Sequence, residues 1–147
     1  MEIFNNQHIW TSAAACITAQ ISKGFLDSLR TKKINTKMML SSGGMPSSHS
    51  ALVCALTVSI GISEGLGSTY FALSAAFAIL VMYDAAGVRR AAGKHAEVIN
   101  SIMANLETLG AKPHRKLKEL LGHTPIEVFG GAIWGVGAAL IANFICA

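Results

Sequence analysis

Four apolar segments divide the chain and limit the folds open to it: residues 9–25, 51–62, 70–83 (extending to 88) and 126–147. A bilayer span needs about 20 residues, so the last two segments are long enough. The first two reach that length only with their polar ends, which implies tilt or local thinning of the bilayer. A segment in lipid must satisfy its own backbone hydrogen bonds, and no alternating strand pattern is present. The sequence therefore predicts an all-α integral membrane helical bundle of about four apolar helices plus a short amphipathic helix.

The composition agrees with insertion into a bilayer. Hydrophobic residues make up 52% of the chain and charged residues 14%, and the mean hydropathy is +0.47. These values are far from those of disordered chains and high for an ordinary soluble domain. A length of 147 residues predicts a single domain, 1–147. Cys16, Cys54 and Cys146 lie in apolar segments with no C-x-x-C pair, so we expect small buried hydrophobic side chains and no metal site.

All twelve lysines and arginines fall in two polar connections, residues 23–46 and 89–124. With four spans, both connections lie on one side of the membrane. The other side carries only Glu2, His8 and Glu64 near its ends. Because cytoplasmic loops are enriched in Lys and Arg, we expect an integral cell-membrane protein with both termini outside. A site built from the two connections would face the cytoplasm.

The second connection contains a helical pattern of apolar residues: Ala96, Val98, Ile99, Ile102, Met103, Leu106 and Leu109. Polar side chains such as Glu97, Asn100 and Asn105 occupy much of the remaining circumference. The pattern predicts an amphipathic helix that lies on the membrane or against the bundle. Residues 110–113, which contain Gly110 and Pro113, should end it.

Residues 41–50, S-S-G-G-M-P-S-S-H-S, form a polar turn that leads into the second apolar segment. Pro46 should end the turn, and Ser47 is well placed to cap a helix that begins near Ser48. A helix N-terminus offers free N–H donors and a partial positive charge, so it can bind an anion. His49 adds a group that exchanges protons near neutral pH. We therefore predict a phosphate site at the mouth of a membrane helix.

Two further patterns carry charge or imidazole groups. Lys23 and Arg30 are seven positions apart, two turns of helix, so both can face one anion if the helix continues. His123 and Glu127 open the last apolar segment, four positions apart, and they would share one helical face.

Together these residues resemble a divergent branch of the type 2 phosphatidic acid phosphatase superfamily, which includes bacterial acid phosphatases and vanadium haloperoxidases. That superfamily is marked by K-x6-R-P, P-S-G-H and S-R-x5-H-x3-D. Lys23 and Arg30 keep the first spacing, with Thr31 in place of the proline. Residues 46–49 keep the second motif except for Ser48 in place of glycine.

The third motif is present in part. His123 and Glu127 match H-x3-D with a longer carboxylate, but Leu117 stands where the arginine should precede the histidine. Arg89 or Arg90, at the end of the third apolar segment, is the apparent substitute.

The resemblance implies metal-independent hydrolysis of a phosphate monoester through a phosphohistidine, without a cofactor. His123 would attack phosphorus, Glu127 would orient its imidazole, and His49 would protonate the leaving oxygen and then activate water. The groups that would hold the phosphate oxygens are Lys23, Arg30, Arg89 or Arg90, Ser47, Ser48 and the backbone of Gly44.

Simpler roles remain open for several residues. Thr124-Pro125-Ile126-Glu127 is a capping box with proline at the first helical position, so Glu127 could cap a helix as well as serve His123. Ser47 fits a cap better than a direct ligand. His95 lies six after Arg89, but Ile99 stands where the carboxylate should be, which favours packing. Asp84 could pair with a cation of the site for structure or for catalysis.

Three functions fit these observations: a membrane phosphatase acting on a lipid or prenyl phosphate, a non-catalytic phosphate or lipid-phosphate binding or carrier protein, and a structural bundle component. The expected partners are a lipid or prenyl phosphate and the membrane bilayer, with no nucleic acid. A homo-oligomer would be allowed by the glycines that permit close helix packing, Gly130, Gly131, Gly135 and Gly137.

Overall fold

The computed structural model describes residues 2–32, 43–110, 112, 115–119 and 121–146. After a 3-10 turn (Glu2–Asn5) come five helices: α1 (Gln7–Thr31), α2 (Ser48–Glu64), α3 (Thr69–Ala86), α4 (Val88–Thr108) and α5 (Pro125–Cys146). The described residues contain no strand, so the predicted all-α fold is confirmed. Among the described residues, two helical stretches are long and apolar enough to cross a membrane: Thr69–Thr108, which joins α3 to α4, and Pro125–Ile145 in α5.

Two helices are longer than the sequence pattern predicted. α1 continues to Thr31 and so contains Lys23 and Arg30, which places the start of the first connection after α1. Its ends explain its length, since the Asn6 side chain accepts hydrogen bonds from the first turn and Lys32 adopts a left-handed φ of 54°. The amphipathic helix α4 begins at Val88 instead of near Ala96, because Gly87 interrupts the α3–α4 helix for a single residue.

Helix α2 lies at the centre of the bundle, in contact with α1, α3 and α5. The core between these helices consists of small side chains, with Ala15, Ala55 and Ala139 at most 1% exposed. Large apolar side chains point outward instead, for example Leu73 at 64% and Phe144 at 87% exposure. A surface this apolar is the reverse of a soluble domain and suits contact with lipid tails.

The closest helix crossing joins α5 to α2. A Cβ atom at Gly131 would collide with the carbonyl oxygen of Ser47, and one at Gly135 would collide with that of Ala51. Because residues four apart face the same side of a helix, these two glycines let one face of α5 rest directly on the α2 backbone. Two of the glycines considered for oligomer contacts are therefore used inside the chain, whereas a Cβ at Gly137 would meet nothing within 4 Å.

This crossing gives a first prediction. Gly135→Ala should lower the free energy of unfolding by about 1–3 kcal/mol, the usual effect of overpacking. Gly137→Ala is the matched control in the same helix, and it should change stability by no more than about 1 kcal/mol, in the stabilising direction, because alanine has the higher helix propensity. Unfolding in detergent micelles, followed by helical circular dichroism, measures both. Equal effects of the two substitutions would contradict this packing.

Candidate functional site

Two loops meet at the end of the bundle where α2 and α5 begin. The Ser47 N–H donates to the backbone oxygen of Glu127 at 3.1 Å, which ties the start of α2 to the first turn of α5. The His123 N–H donates to the backbone oxygen of Ala85 at 3.0 Å, which ties the loop before α5 to the last turn of α3. Backbone hydrogen bonds therefore bring the second and third motifs to one place.

His123 is the most buried imidazole at this end, with 3% exposure. Its Nδ1 lies 3.2 Å from Oε2 of Glu127, and its Nε2 is buried with no hydrogen-bond partner among the described residues. Burial lowers the pKa of His123 below its usual value, against the opposing effect of the Glu127 hydrogen bond. A neutral ring with its proton on Nδ1 fits this geometry, since the carboxylate can only accept. The lone pair is then on Nε2.

Glu127 contacts both the first turn of α5 and the His123 ring. Its Oε2 accepts a hydrogen bond from the Thr124 N–H at 3.0 Å, while its own N–H donates to Oγ1 of Thr124 at 3.4 Å. This is a capping box at the start of α5. The same Oε2 faces the His123 ring, so one carboxylate oxygen fixes both the helix start and the imidazole.

A buried cation and a second imidazole lie within electrostatic range of this pair. Lys23 on α1 is 2% exposed and interacts electrostatically with Glu127. His49, on the first turn of α2, is exposed and interacts electrostatically with Lys23 and Arg89. His123 in turn interacts electrostatically with both Lys23 and His49. These five groups come from four different helices and one loop, and they share a single site.

The serine motif forms the start of α2. The Ser47 hydroxyl is fully buried and accepts from the Ser50 N–H at 3.4 Å and the Ser50 hydroxyl at 3.0 Å, so it is the cap that the sequence favoured. Ser48 is 6% exposed as the first helical residue. Gly44 has a φ of +92°, a conformation for which glycine is the ordinary choice.

The three arginines of the predicted site differ in their surroundings. The Nε of Arg89 pairs with Oδ2 of Asp84 at 2.6 Å, and Arg89 acts electrostatically on His49. The Arg90 side chain is exposed on the first turn of α4. Arg30 lies on α1 seven residues after Lys23, and its side chain is outside the described part of the structure.

Gly122 is a site residue that the sequence reasoning missed. It has a φ of +82°, and a Cβ atom there would collide with the backbone N of Arg90 and lie 2.7 Å from the backbone C of Arg89. The loop before His123 therefore rests directly on the peptide between the two arginines. Its position directly before His123 was the available signal, but the contact itself depends on the tertiary fold.

His95 lies outside this site, and its predicted packing role is wrong. The residues of α4 that are shielded from solvent, Gly93, Ala96, Asn100 and Met103, recur at helical spacing, whereas His95 is exposed. One position corresponds to about 100° around a helix, which turns His95 away from the packed face.

Comparison with known proteins covers nearly the whole chain. The sequence model of a family described as the Divergent PAP2 family matches residues 4–138. The chain is also 41% identical to an uncharacterized membrane protein, YuiD, of Bacillus subtilis, over 155 aligned positions that cover 98% of both chains. No solved structure matches the chain.

The loop contact at Gly122 gives a second prediction. Gly122→Ala should cost about 1 kcal/mol for the positive φ and a further 1–3 kcal/mol or so for the collision with α4. Gly110→Ala is the control, because Gly110 has a φ of +94° and nothing within 4 Å of its Cβ position. Free energies of unfolding of the two variants separate the collision from the backbone strain. If Gly122→Ala is no worse than Gly110→Ala, the loop does not rest on α4.

Proposed function

The chain belongs to the divergent PAP2 family, and from that membership together with the site at the start of α5 we propose that it is a membrane phosphatase. It would hydrolyse a lipid or prenyl phosphate monoester through a phosphohistidine. The relative YuiD is a membrane protein by name, and the apolar exterior of the bundle suits a substrate that resides in the bilayer.

The observation that carries the proposal is the environment of His123. A buried polar atom normally has a hydrogen-bond partner, because leaving it unpaired costs on the order of 1–3 kcal/mol. Nε2 of His123 has none among the described residues, while Nδ1 is held by Glu127. A ring held in one tautomer, neutral and with a free lone pair, is prepared for attack on phosphorus.

The proposed reaction has two steps. The Nε2 lone pair of His123 attacks phosphorus, the bond from phosphorus to the ester oxygen breaks, and His49 gives its proton to the leaving oxygen. Water then attacks the phosphohistidine, His49 takes a proton from that water, and the phosphorus–nitrogen bond breaks to release inorganic phosphate. Glu127 stabilises the positive imidazole ring of the intermediate, as the orienting carboxylate does in a catalytic triad.

Fixed positive charge would bind the phosphate and stabilise its transition state. Lys23 is buried beside the site, and Arg89 acts on the same region from the start of α4. The first turn of α2, from Ser47 and Ser48 onward, adds backbone N–H donors and the positive end of the helix dipole. The proposal also includes Arg30, Arg90 and the Gly44 backbone, which are supported only by their match to the sequence motifs.

A non-catalytic phosphate or lipid-phosphate carrier is the second candidate. One feature favours it: Arg89, one of the two apparent substitutes for the arginine of the usual third motif, already forms an ion pair with Asp84. That pair neutralises part of the charge that would otherwise stabilise a transition state. Binding of phosphate without turnover across a broad panel of esters would establish this alternative.

The phosphatase proposal predicts that His123→Ala loses at least about 100-fold in phosphate release from lipid and prenyl phosphates. A phosphohistidine trapped by rapid quenching should disappear in the same variant. His95→Ala, with an exposed imidazole on α4, is the control and should keep wild-type activity. Vanadate should inhibit because it adopts the five-coordinate geometry of phosphoryl transfer, and a chelator should not. Activity that survives His123→Ala, or that needs an added divalent metal, would exclude the mechanism.

We also propose that the site faces the cytoplasm and that both termini lie outside. The support is that the site lies at the same end of the bundle as the basic connections. In a chain freed of its own cysteines, a membrane-impermeant thiol reagent added to intact cells should label Glu64→Cys, at the end of α2, and leave Lys118→Cys unlabelled. Both positions are exposed. The reverse pattern would invert the topology without affecting the proposed chemistry.

A further inference from the structure

An ion pair crosses the junction between α3 and α4. Asp84 lies in the last turn of α3 and Arg89 in the first turn of α4, with Nε of Arg89 2.6 Å from Oδ2 of Asp84. In an uninterrupted helix, residues five apart are separated by about 140° around the axis and do not face each other. The pair therefore depends on the break at Gly87.

The break is local and well defined. Gly87 has φ −102° and ψ −85°, and its N–H donates to the Tyr83 oxygen at 2.8 Å. The Ala91 N–H donates to the Gly87 oxygen at 2.9 Å, so helical hydrogen bonding resumes at once. A Cβ at Gly87 would lie 2.9 Å from the Tyr83 oxygen, closer than real Cβ contacts. The non-helical backbone angles of Gly87 change the rotation between α3 and α4. Asp84 and Arg89 therefore lie on the same side.

This junction borders the candidate site on two sides. Ala85, next to Asp84, accepts the hydrogen bond from the His123 N–H. Gly122 rests on the peptide that follows Arg89. The charges of both Asp84 and Arg89 reach His49. The ion pair is thus attached by backbone contacts to the loop that carries His123.

Stability does not account for the pair. The Arg89 and Asp84 side chains are 51% and 36% exposed, and exposed ion pairs contribute about 0–1 kcal/mol. An acidic residue at the end of an apolar helix is costly in a membrane and usually serves a function. Within the described residues, Arg89 is hydrogen-bonded only through Nε. Its terminal N–H groups, the part of the fork that matches phosphate oxygens, have no hydrogen-bond partner there.

From this arrangement we propose that Asp84 is a positioning residue, which fixes the Arg89 guanidinium on the side of the site where His49 lies, so that its terminal N–H groups meet the substrate phosphate. The inference rests on the proposed function of the site and assigns one arginine, Arg89, to the role that the sequence left open between two. Asp84 itself touches neither substrate nor the reacting atoms.

The test is a double-mutant cycle read out as vanadate affinity of the purified full-length protein at fixed ionic strength. Asp84→Asn should weaken vanadate binding about tenfold, the loss expected when one charge-assisted contact is no longer held in place. In the Arg89→Ala background the same substitution should have no further effect, because there is nothing left to position. Asp84→Glu keeps the carboxylate and should recover part of the loss. Glu97→Gln, which removes an exposed acid from α4, should bind as the wild type does.

Each other outcome overturns a stated part of the inference. If Asp84→Asn binds vanadate normally, or weakens it equally with and without Arg89, Asp84 does not act through Arg89, and the proposed function still stands. If the wild type binds neither vanadate nor inorganic phosphate, the proposed function fails and the positioning role fails with it. If Asp84→Asn does not fold, Asp84→Glu compared in the Arg89 and Arg89→Ala backgrounds decides the same question, since a displaced carboxylate weakens vanadate binding through Arg89 only where Arg89 is present.

Discussion

The site depends on how closely α5 approaches α2. Gly131 and Gly135 allow backbone contact where any side chain would force the helices apart. That approach lets the Ser47 N–H reach the Glu127 oxygen. Since the first turn of α2 carries His49 and the loop before α5 carries His123, a shift of the crossing by a single side-chain radius would separate the two imidazoles. Helix packing, and not loop structure alone, therefore determines the geometry of the candidate phosphate site.

The bundle reverses the usual arrangement of size and polarity. Its interior holds alanine, serine and glycine, and its exterior holds leucine, isoleucine and phenylalanine. In a bilayer this costs nothing, because lipid tails solvate large apolar side chains as well as a protein core does. Small interior residues leave room for a buried lysine, Lys23, at the end of the bundle where the motifs meet. A buried cation is costly without an anion nearby, and the charge of Glu127 lies within electrostatic range of Lys23.

The sequence predicted the helical class and the apolar segments with little error, because hydrophobic runs and capping residues act locally. It placed the start of α4 too late, and the first apolar segment ends before α1 does. Helix continuation through Lys23 and across Gly87 depends on local backbone hydrogen bonds, which composition does not report. Spacing alone could not choose between Arg89 and Arg90. In our proposal, the choice of Arg89 rests on the one-residue break at Gly87 and on the contact of Gly122 with α4.

The shared use of one carboxylate oxygen has a consequence for biogenesis. Oε2 of Glu127 caps the first turn of α5 and also holds the His123 ring, so the ring acquires its fixed tautomer only when that turn has formed. In the proposed mechanism, a chain still entering the membrane carries no oriented nucleophile. Hydrolytic competence would therefore appear only once the first turn of α5 has formed.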